Sequence, residues 1–239
     1  MSRLLLVRHA QASFLEPDYD KLSPTGELQA RALGAYWAGR NQKFDRAASG
    51  PRVRHRRTAA IVAEAYAAAG LPFPETVVTA DFDEYRFEEV LTQSLPKLLA
   101  INRDIAGLYQ AFQRAADPAE QRTRFQKLLE VVMEMWVAGA LPAPGVESWD
   151  EFCARVNRGL SHFLAAGARS EQSVIFSSGG PISVAMQRAL CLASRETLHL
   201  SWMSRNCSYS EFLSSGGRFT LSAFNSFPHL DDPALLTYR

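Results

Sequence analysis

Short apolar runs alternate with longer amphipathic stretches along the first 80 residues, and this alternation is the feature that most limits the fold. Each apolar run predicts a buried strand, and each alanine-rich stretch predicts a helix. The order strand-helix-strand-helix-strand predicts a parallel sheet in an α/β protein. The predicted strands are residues 3–7, 44–49 and 75–80, and the predicted helices are residues 24–39 and 54–69.

The middle of the chain departs from this alternation. Residues 94–138 are rich in Gln, Arg, Leu and Glu, and we predict two helices here, inserted at about 94–140 as a cap over the edge of the sheet. Ser148 and Glu151 predict a capping box at the start of the next helix, over about 149–166. The alternative for the insert is disorder, and the apolar residues whose helical spacing argues against it are Leu128, Val131, Val132, Met135 and Trp136.

The last third of the chain returns to strand-forming sequence. Residues 174–178 predict a fourth strand, and Pro181 is placed to open a helix. Residues 207–213 and 218–224 predict a terminal hairpin around a Ser-Ser-Gly-Gly turn. Together the elements predict one domain over 1–239, an α/β three-layer αβα sandwich with a mostly parallel sheet and an inserted helical cap.

Composition limits the class of partner. The chain has 239 residues, a formal net charge of +1 and 21% charged residues, so its global charge favours neither nucleic acid nor an acidic membrane. The N-terminal apolar run is too short for a signal peptide or a membrane span, and we expect a cytoplasmic protein. Cys153, Cys191 and Cys207 form no Cys-x-x-Cys pair, so we expect buried reduced thiols and neither disulfides nor a zinc site.

An Arg-His pair follows the first predicted strand. The ligand site of an open parallel sheet lies at the carboxyl ends of its strands, where Arg8 and His9 should stand. A neutral imidazole is a competent nucleophile toward phosphorus. A neighbouring guanidinium can bind the oxygens of the transferred phosphoryl group. The pair therefore suggests phosphoryl transfer.

The turn after the fourth predicted strand is the second place where an anion could bind, because backbone amides at a helix N-terminus point toward it. Ser177 and Ser178 could serve there as nucleophile, as phosphate ligand or as plain turn residues. The serine-hydrolase alternative is weak, since the turn lacks the G-x-S-x-G form and no Asp and His partners follow in order.

Seven motifs in order resemble the histidine phosphatase superfamily, also called the phosphoglycerate mutase-like or RHG-motif family. The resemblance covers nearly the whole chain outside the helical insert. It implies a phosphohistidine mechanism with no metal and no cofactor. The motifs are VRHAQASF, LSPTGELQARALG, SGPRVRHRRTAAIVAEAY, DFDEYRF, GVESWDEFCARV, NCSYSEF and FNSFPHL.

The resemblance assigns roles by position. It makes His9 the nucleophile and Arg8 the first phosphate-binding arginine. The second such arginine is Arg54 if the motif is anchored on the Thr-Ala that follows it, with Arg52 and Arg56 as competitors. The arginines of this run that are left over, Arg57 among them, are expected on a solvated helix face.

The proton donor should come from the DFDEYRF motif. The resemblance implies Glu84 as the acid that protonates the leaving alcohol and as the base that later activates water. Asp83 and Asp81 are the alternatives, whereas Glu88 and Glu89 are expected as surface charges.

The sequence departs from the family at one core position. The family's second histidine follows the fourth strand in a Ser-His-Gly-Gly pattern, and Ser178 stands in its place. A serine hydroxyl donates a neutral hydrogen bond and supplies no charge, so we expect weakened turnover, assisted by the amides of Gly179 and Gly180. On this interpretation, histidine at position 178 would raise the rate about tenfold or more.

Other polar residues could compensate. His55 is next to Arg54 and is the histidine whose role stays most open, since neighbours on a helix face different ways; a structural role is favoured for it. Ser13 could donate to phosphate or make an ordinary turn hydrogen bond, and Gln11 is a weaker candidate of the same kind. His162, His199 and His229 are expected to be structural.

The function predicted from the sequence is a phosphomonoester hydrolase acting on a small phosphorylated substrate. The alternative is a binding or regulatory module that binds a phosphate ligand or inorganic phosphate with impaired turnover, and a phosphoglycerate-type mutase is less favoured. Neither nucleic acid nor membrane is expected as a partner. Apolar residues on the cap or the terminal hairpin could form a homodimer face.

Overall fold

The computed structural model describes residues 1–13, 20–141, 145–165 and 170–238. The chain divides into two compact units. The first comprises Met1–Glu84 and Arg155–Arg239, and the second comprises Tyr85–Ala154.

A six-stranded sheet forms the centre of the first unit, in the order β3-β2-β4-β1-β5-β6. The three pairs among the first four strands of this order are parallel, and β5 and β6 join antiparallel at one edge. The sheet is therefore mostly parallel, as predicted. The strands are β1 (Ser2–Arg8), β2 (Arg46–Ser49), β3 (Thr76–Val78), β4 (Gln172–Ser177), β5 (Tyr209–Ser215) and β6 (Arg218–Ser226).

Helices complete an α/β three-layer sandwich in this unit. The first begins where the sequence predicts, because Pro24 occupies the first turn and the Ser23 side chain accepts a hydrogen bond from the Gly26 amide. The helices of this unit are α1 (Pro24–Gly39), α2 (Val53–Ala68), α7 (Gly179–Leu190) and α8 (Ser194–Met203), together with the part of α6 (Trp149–Ala165) that starts at Arg155. Leu33 and Trp37 of α1 and Val62 of α2 belong to the apolar core.

The second unit is helical, with one helix more than predicted. It holds α3 (Phe87–Ile101), α4 (Arg103–Gln113) and α5 (Pro118–Val137). The prediction of two helices was wrong because Asn102 separates α3 from α4, where its side chain accepts from the amides at the start of α4. Tyr85, Trp136, Trp149 and Phe152 pack their rings together in this unit.

The capping box is present: the Ser148 amide donates to the Glu151 carboxylate, and the Glu151 amide donates to the Ser148 hydroxyl. Helix α7 begins at Gly179, two positions before Pro181, and α8 was not predicted. The expectation of buried thiols was wrong for Cys191, which is exposed.

Candidate active site

The turns after β1 and β4 lie side by side at the carboxyl edge of the sheet. In the parallel register, Arg8 pairs with Ser177, and the His9 amide donates to the Ser177 carbonyl at 2.7 Å. The side chains of His9 and Ser178 therefore leave the sheet at one edge, as expected for the ligand site of an open parallel sheet.

The hydrogen bonds of His9 define its tautomer. Nδ1 lies 2.8 Å from the Ala10 carbonyl, which can only accept, so Nδ1 bears the proton. Nε2 accepts from Arg54 Nε at 3.1 Å and is therefore the nitrogen with the lone pair. His9 is a neutral imidazole whose nucleophilic nitrogen faces a guanidinium.

Burial holds His9 in this neutral form. The residue is buried, and desolvation lowers its pKa well below the usual 6.5. The positive charge of Arg54 lowers the pKa further, as do His55 and Arg8, against a smaller opposing effect of the hydrogen bond to Ala10. At neutral pH the lone pair on Nε2 is therefore not lost to protonation.

Arg54 is the arginine of its run that reaches His9. It projects from α2 and is buried, and its Nη1 also donates to Asp20 at 2.8 Å. Asp20 was not predicted, because nothing in the sequence around it distinguishes it from a loop carboxylate. Its second oxygen accepts from the Val53 amide at the start of α2, so Asp20 fixes both the helix and the guanidinium.

Arg8 and Arg52 bind backbone or carboxylate groups beside this cluster. Arg8 Nη1 donates to the Ser204 carbonyl. Arg52 Nε donates to Asp83 at 2.7 Å, and its Nη2 donates to the Glu84 carbonyl at 3.3 Å. The prediction that Arg52 is solvated was wrong, because it is an ion-pair partner of the acidic segment. Arg56 is exposed, as predicted.

Among the acidic candidates, the carboxylate of Glu84 contacts the β4 turn. Its Oε2 accepts from the Gly180 amide in the first turn of α7, at 3.1 Å. The alternatives are bound to arginines: Asp83 to Arg52, and Asp81 to Arg158 at 2.9 Å. Of the three predicted carboxylates, Glu84 is therefore the one with a contact to the first turn of α7 among those described above.

Ser178 contacts a histidine that the sequence did not assign to the site. Ser178 Oγ lies 2.6 Å from Nε2 of His55, and both residues are buried. The His55 ring centroid is 5.5 Å from that of His9. Our preference for a structural role of His55 did not anticipate this position, because adjacent helix residues face different ways and Arg54 already faces His9.

Three further predicted positions lie nearby. Ser13 is buried, and its hydroxyl has no hydrogen-bond partner within the described residues, which stop at Ser13 and resume at Asp20. Gln11 accepts from the Ser23 hydroxyl at 2.8 Å. A Cβ on Gly179 would lie 2.3 Å from the Ser201 carbonyl oxygen, so this position accepts glycine alone without displacing α8.

The remaining histidines are separate from this cluster. His229 is buried against Tyr36 and Tyr209, and its burial lowers its pKa to about 4. His199 stacks on Trp202, and His162 is exposed on α6.

Within residues 1–13, 20–141, 145–165 and 170–238, no group of three or more His, Cys, Asp or Glu side chains is placed to bind a metal ion. Across the same residues, no helix combines the length and the apolar character that a membrane span needs.

Comparison with known families agrees with the geometry. Residues 4–135 and 117–226 match the family model of the histidine phosphatase superfamily, branch 1. The chain belongs to the histidine phosphatase superfamily. A search of curated protein sequences found no match.

Solved structures share the fold over nearly the whole chain. A phosphoglycerate mutase from Bacillus anthracis is similar with a TM-score of 0.64 and 16% identity, covering 96% of this chain and 95% of the other. A mycobacterial glucosyl-3-phosphoglycerate phosphatase in complex with inorganic phosphate has a TM-score of 0.62 and 22% identity, covering 96% and 99%. A phosphoserine phosphatase from Entamoeba histolytica in complex with 3-phosphoglyceric acid has a TM-score of 0.61 and 19% identity, covering 96% and 100%.

Proposed function

We propose that the protein is a phosphomonoester phosphatase that acts through a phosphohistidine at His9. The observation that carries the proposal is the tautomer of His9. Its Nδ1 proton is held by the Ala10 carbonyl, and its Nε2 lone pair faces the Arg54 guanidinium. A neutral nucleophile with a fixed cation at its reactive nitrogen is suited to attack on an anionic phosphoryl group.

The first half-reaction transfers the phosphoryl group to the enzyme. The Nε2 lone pair of His9 forms a bond to phosphorus while the bond from phosphorus to the ester oxygen breaks. Glu84, in its protonated form, gives its proton to that departing oxygen, so that a neutral alcohol leaves. Arg8 and Arg54 bind the phosphoryl oxygens, and Arg54 therefore exchanges its hydrogen bond to His9 for one to the substrate.

The second half-reaction restores the resting enzyme. Glu84, now a carboxylate, takes a proton from water, and the water oxygen bonds to phosphorus as the N–P bond breaks. Inorganic phosphate leaves, and His9 Nε2 recovers its lone pair. The Gly180 amide stabilises the carboxylate form of Glu84 that the second half-reaction uses.

The substrate is a small phosphorylated molecule in this proposal. We also propose that the helical insert at about 94–140 acts as a cap and selects the leaving group. The superfamily neighbours named above include phosphatases and a mutase. A panel of sugar phosphates, phosphoserine, phosphoglycerates and nucleotides, assayed for phosphate release and for isomerised product, distinguishes hydrolase from mutase and ranks substrates.

A second candidate is a phosphate-binding module with little turnover. It is favoured by Ser178, a neutral group at the position where the sequence motif of the family predicts histidine. It is also favoured by the neutral form of the neighbouring His55, since burial, and then the charges of Arg54 and Arg52, lower the pKa of His55 well below 6.5. The two candidates differ in turnover and share phosphate binding.

Phosphate release from p-nitrophenyl phosphate tests the choice, with His9→Ala as the inactive variant and His199→Ala as the matched control. We expect the wild type and the control to release phosphate and His9→Ala to fall to background. Mass spectrometry after a rapid quench should detect an acid-labile phosphate on His9. Turnover equal to that of His9→Ala would reject the phosphatase in favour of the binding module.

A further inference from the structure

The hydroxyl of Ser178 does not do what its position at a helix end predicts. Ser178 is the N-cap residue of α7, where a serine side chain normally accepts a hydrogen bond from an amide of the first turn. It makes no such bond here. Its Oγ instead lies 2.6 Å from Nε2 of His55, so the hydroxyl is committed to a side chain from another helix.

His55 is held in place to meet that hydroxyl. The residue is fully buried in the first helical turn of α2. A Cβ on Gly50 would lie 2.3 Å from His55 Nδ1, so the bare backbone of Gly50 is what leaves room for the ring. A side chain at either position 50 or position 178 larger than the present one would displace the imidazole.

The surroundings of the ring favour one tautomer. Nδ1 of His55 is buried and has no hydrogen-bond partner in the described part of the chain. A proton on Nδ1 would be a buried donor without an acceptor, which native structures rarely contain. The proton therefore belongs on Nε2, from which it is donated to Ser178 Oγ.

This tautomer determines what the serine can offer. A hydroxyl oxygen that accepts from Nε2–H keeps its own proton available for another acceptor. His9 is close to this pair, with its ring centroid 5.5 Å from that of His55. The acceptor that comes to His9 in the proposed reaction is a phosphoryl oxygen.

We propose that His55 and Ser178 form a two-residue relay that takes the place of the missing second histidine, with Ser178 as the phosphoryl-oxygen donor and His55 as the residue that positions it. The relay rests on the proposed phosphate site. It adds Ser178 as a third hydrogen-bond donor to the phosphoryl oxygens, beside Arg8 and Arg54. The imidazole comes from α2 and not from the β4 turn, and it acts as a neutral group. Positive charge at the site comes from arginines alone.

Orthovanadate binding tests the relay independently of turnover. The variants are Ser178→Ala, His55→Phe and the double variant, with His229→Phe as control because His229 is also buried and also has a lowered pKa. Affinity is measured by calorimetry, and folding of each variant is checked by its Tm. The rate of p-nitrophenyl phosphate hydrolysis is measured in parallel.

We expect Ser178→Ala to weaken vanadate binding and lower kcat by about 10²-fold, as for loss of an oxyanion donor. His55→Phe should lower both by about tenfold. The double variant should match Ser178→Ala alone, because His55 acts only through the serine. His55→Gln, whose amide can donate to Ser178 Oγ, should recover most of the loss, and His229→Phe should leave binding unchanged.

Independent losses that multiply in the double variant, or equal losses in His55→Phe and His55→Gln, would overturn the relay. If the variants show this coupling in vanadate binding but the wild type has no turnover, the relay is supported and the phosphatase is rejected. Turnover through His9 that is insensitive to both Ser178→Ala and His55→Phe would support the phosphatase and reject the relay. Failure of the wild type to bind vanadate would reject both.

Discussion

The turns after β1 and β4 stand next to each other, and they provide functional groups in different ways. The β1 turn carries its own chemistry, since Arg8 and His9 follow directly from the strand. The β4 turn offers a serine and backbone amides, and it gains its stronger groups from elsewhere: the His55 imidazole contacts Ser178, and the Glu84 carboxylate contacts Gly180. The functional groups of the β1 turn are contiguous in sequence, whereas those at the β4 turn come from distant parts of the chain.

This difference teaches where a single substitution has a simple effect. At the β1 turn the functional groups belong to residues of the turn itself, so a substitution there removes one functional group. At the β4 turn each group is held by a partner far away in the chain, so a substitution alters a pair.

The largest effect is expected for the acid held by the β4 turn. Glu84→Gln should lower hydrolysis of an alkyl phosphate by about 10²- to 10⁴-fold, because the alkoxide leaves poorly without a proton. The loss should be much smaller for p-nitrophenyl phosphate, whose leaving group needs little protonation. Glu88→Gln, an exposed charge in the neighbouring segment, is the control. Equal losses for both substrates would remove Glu84 from the role of proton donor.

The next effect concerns the cation facing the β1 turn. Arg54→Met should lower kcat/KM by about 10²- to 10³-fold, since it removes a fixed positive charge from the phosphoryl site. Arg57→Met lies on the same helix, where Arg57 pairs with Glu27 and Glu64, and it should retain activity. Steady-state kinetics on one substrate checks both. Similar losses in the two variants would mean that α2 is merely destabilised.

A smaller effect tests whether the β4 turn is a pair. Ser178→His alone should lower activity about tenfold and reduce stability by about 1–3 kcal/mol, because the added ring has no room beside His55. Adding His55→Ala should restore both. This expectation reverses the gain predicted from the sequence. A rise in activity in the single variant would show that the site around Ser178 has space that the structure does not show.

The smallest effect is a dependence of stability on pH that both turns share. His9 and His55 have pKa values well below 6.5 when folded, chiefly because of burial, and the ordinary value when unfolded. The unfolded chain therefore binds more protons below pH 6.5, and the free energy of unfolding should fall as pH drops through that value. Each histidine contributes up to about 1.4 kcal/mol per pH unit.

Urea denaturation between pH 7.5 and pH 5 measures that slope. His229 has its own lowered pKa, so His229→Phe serves as the background for all variants. His9→Gln and His55→Phe should each flatten the slope, and the double variant should flatten it most. A slope that both substitutions leave unchanged would mean that neither histidine is kept neutral by folding.

The sequence predicts the mostly parallel sheet and the order of strands and helices along its first 80 residues, because each of these elements depends on contiguous residues. Helix α1 starts where Ser23 and Pro24 indicate, and Arg54 is found on His9. These features need only local propensity and one motif.

Predictions failed where contacts join distant segments. Asp20 reaches Arg54 from a loop, Arg52 reaches Asp83, and His55 reaches Ser178 across 123 positions in the chain. No periodicity or spacing encodes such pairs, since they depend on how α2 packs beside the two strand ends. The split between α3 and α4 failed for a local reason, a cap provided by Asn102 that interrupts an otherwise continuous helical pattern.

The close approach of backbone at Gly50 and Gly179 limits the mutational routes open to this site. Neither position can accept a side chain without moving His55 or the Ser201 carbonyl. Variation in the donor group is therefore confined to positions 55 and 178, and each blocks change at the other. Moving the imidazole from position 55 to position 178 by single substitutions requires an intermediate with an imidazole at both positions or at neither. The present arrangement is therefore hard to change one substitution at a time.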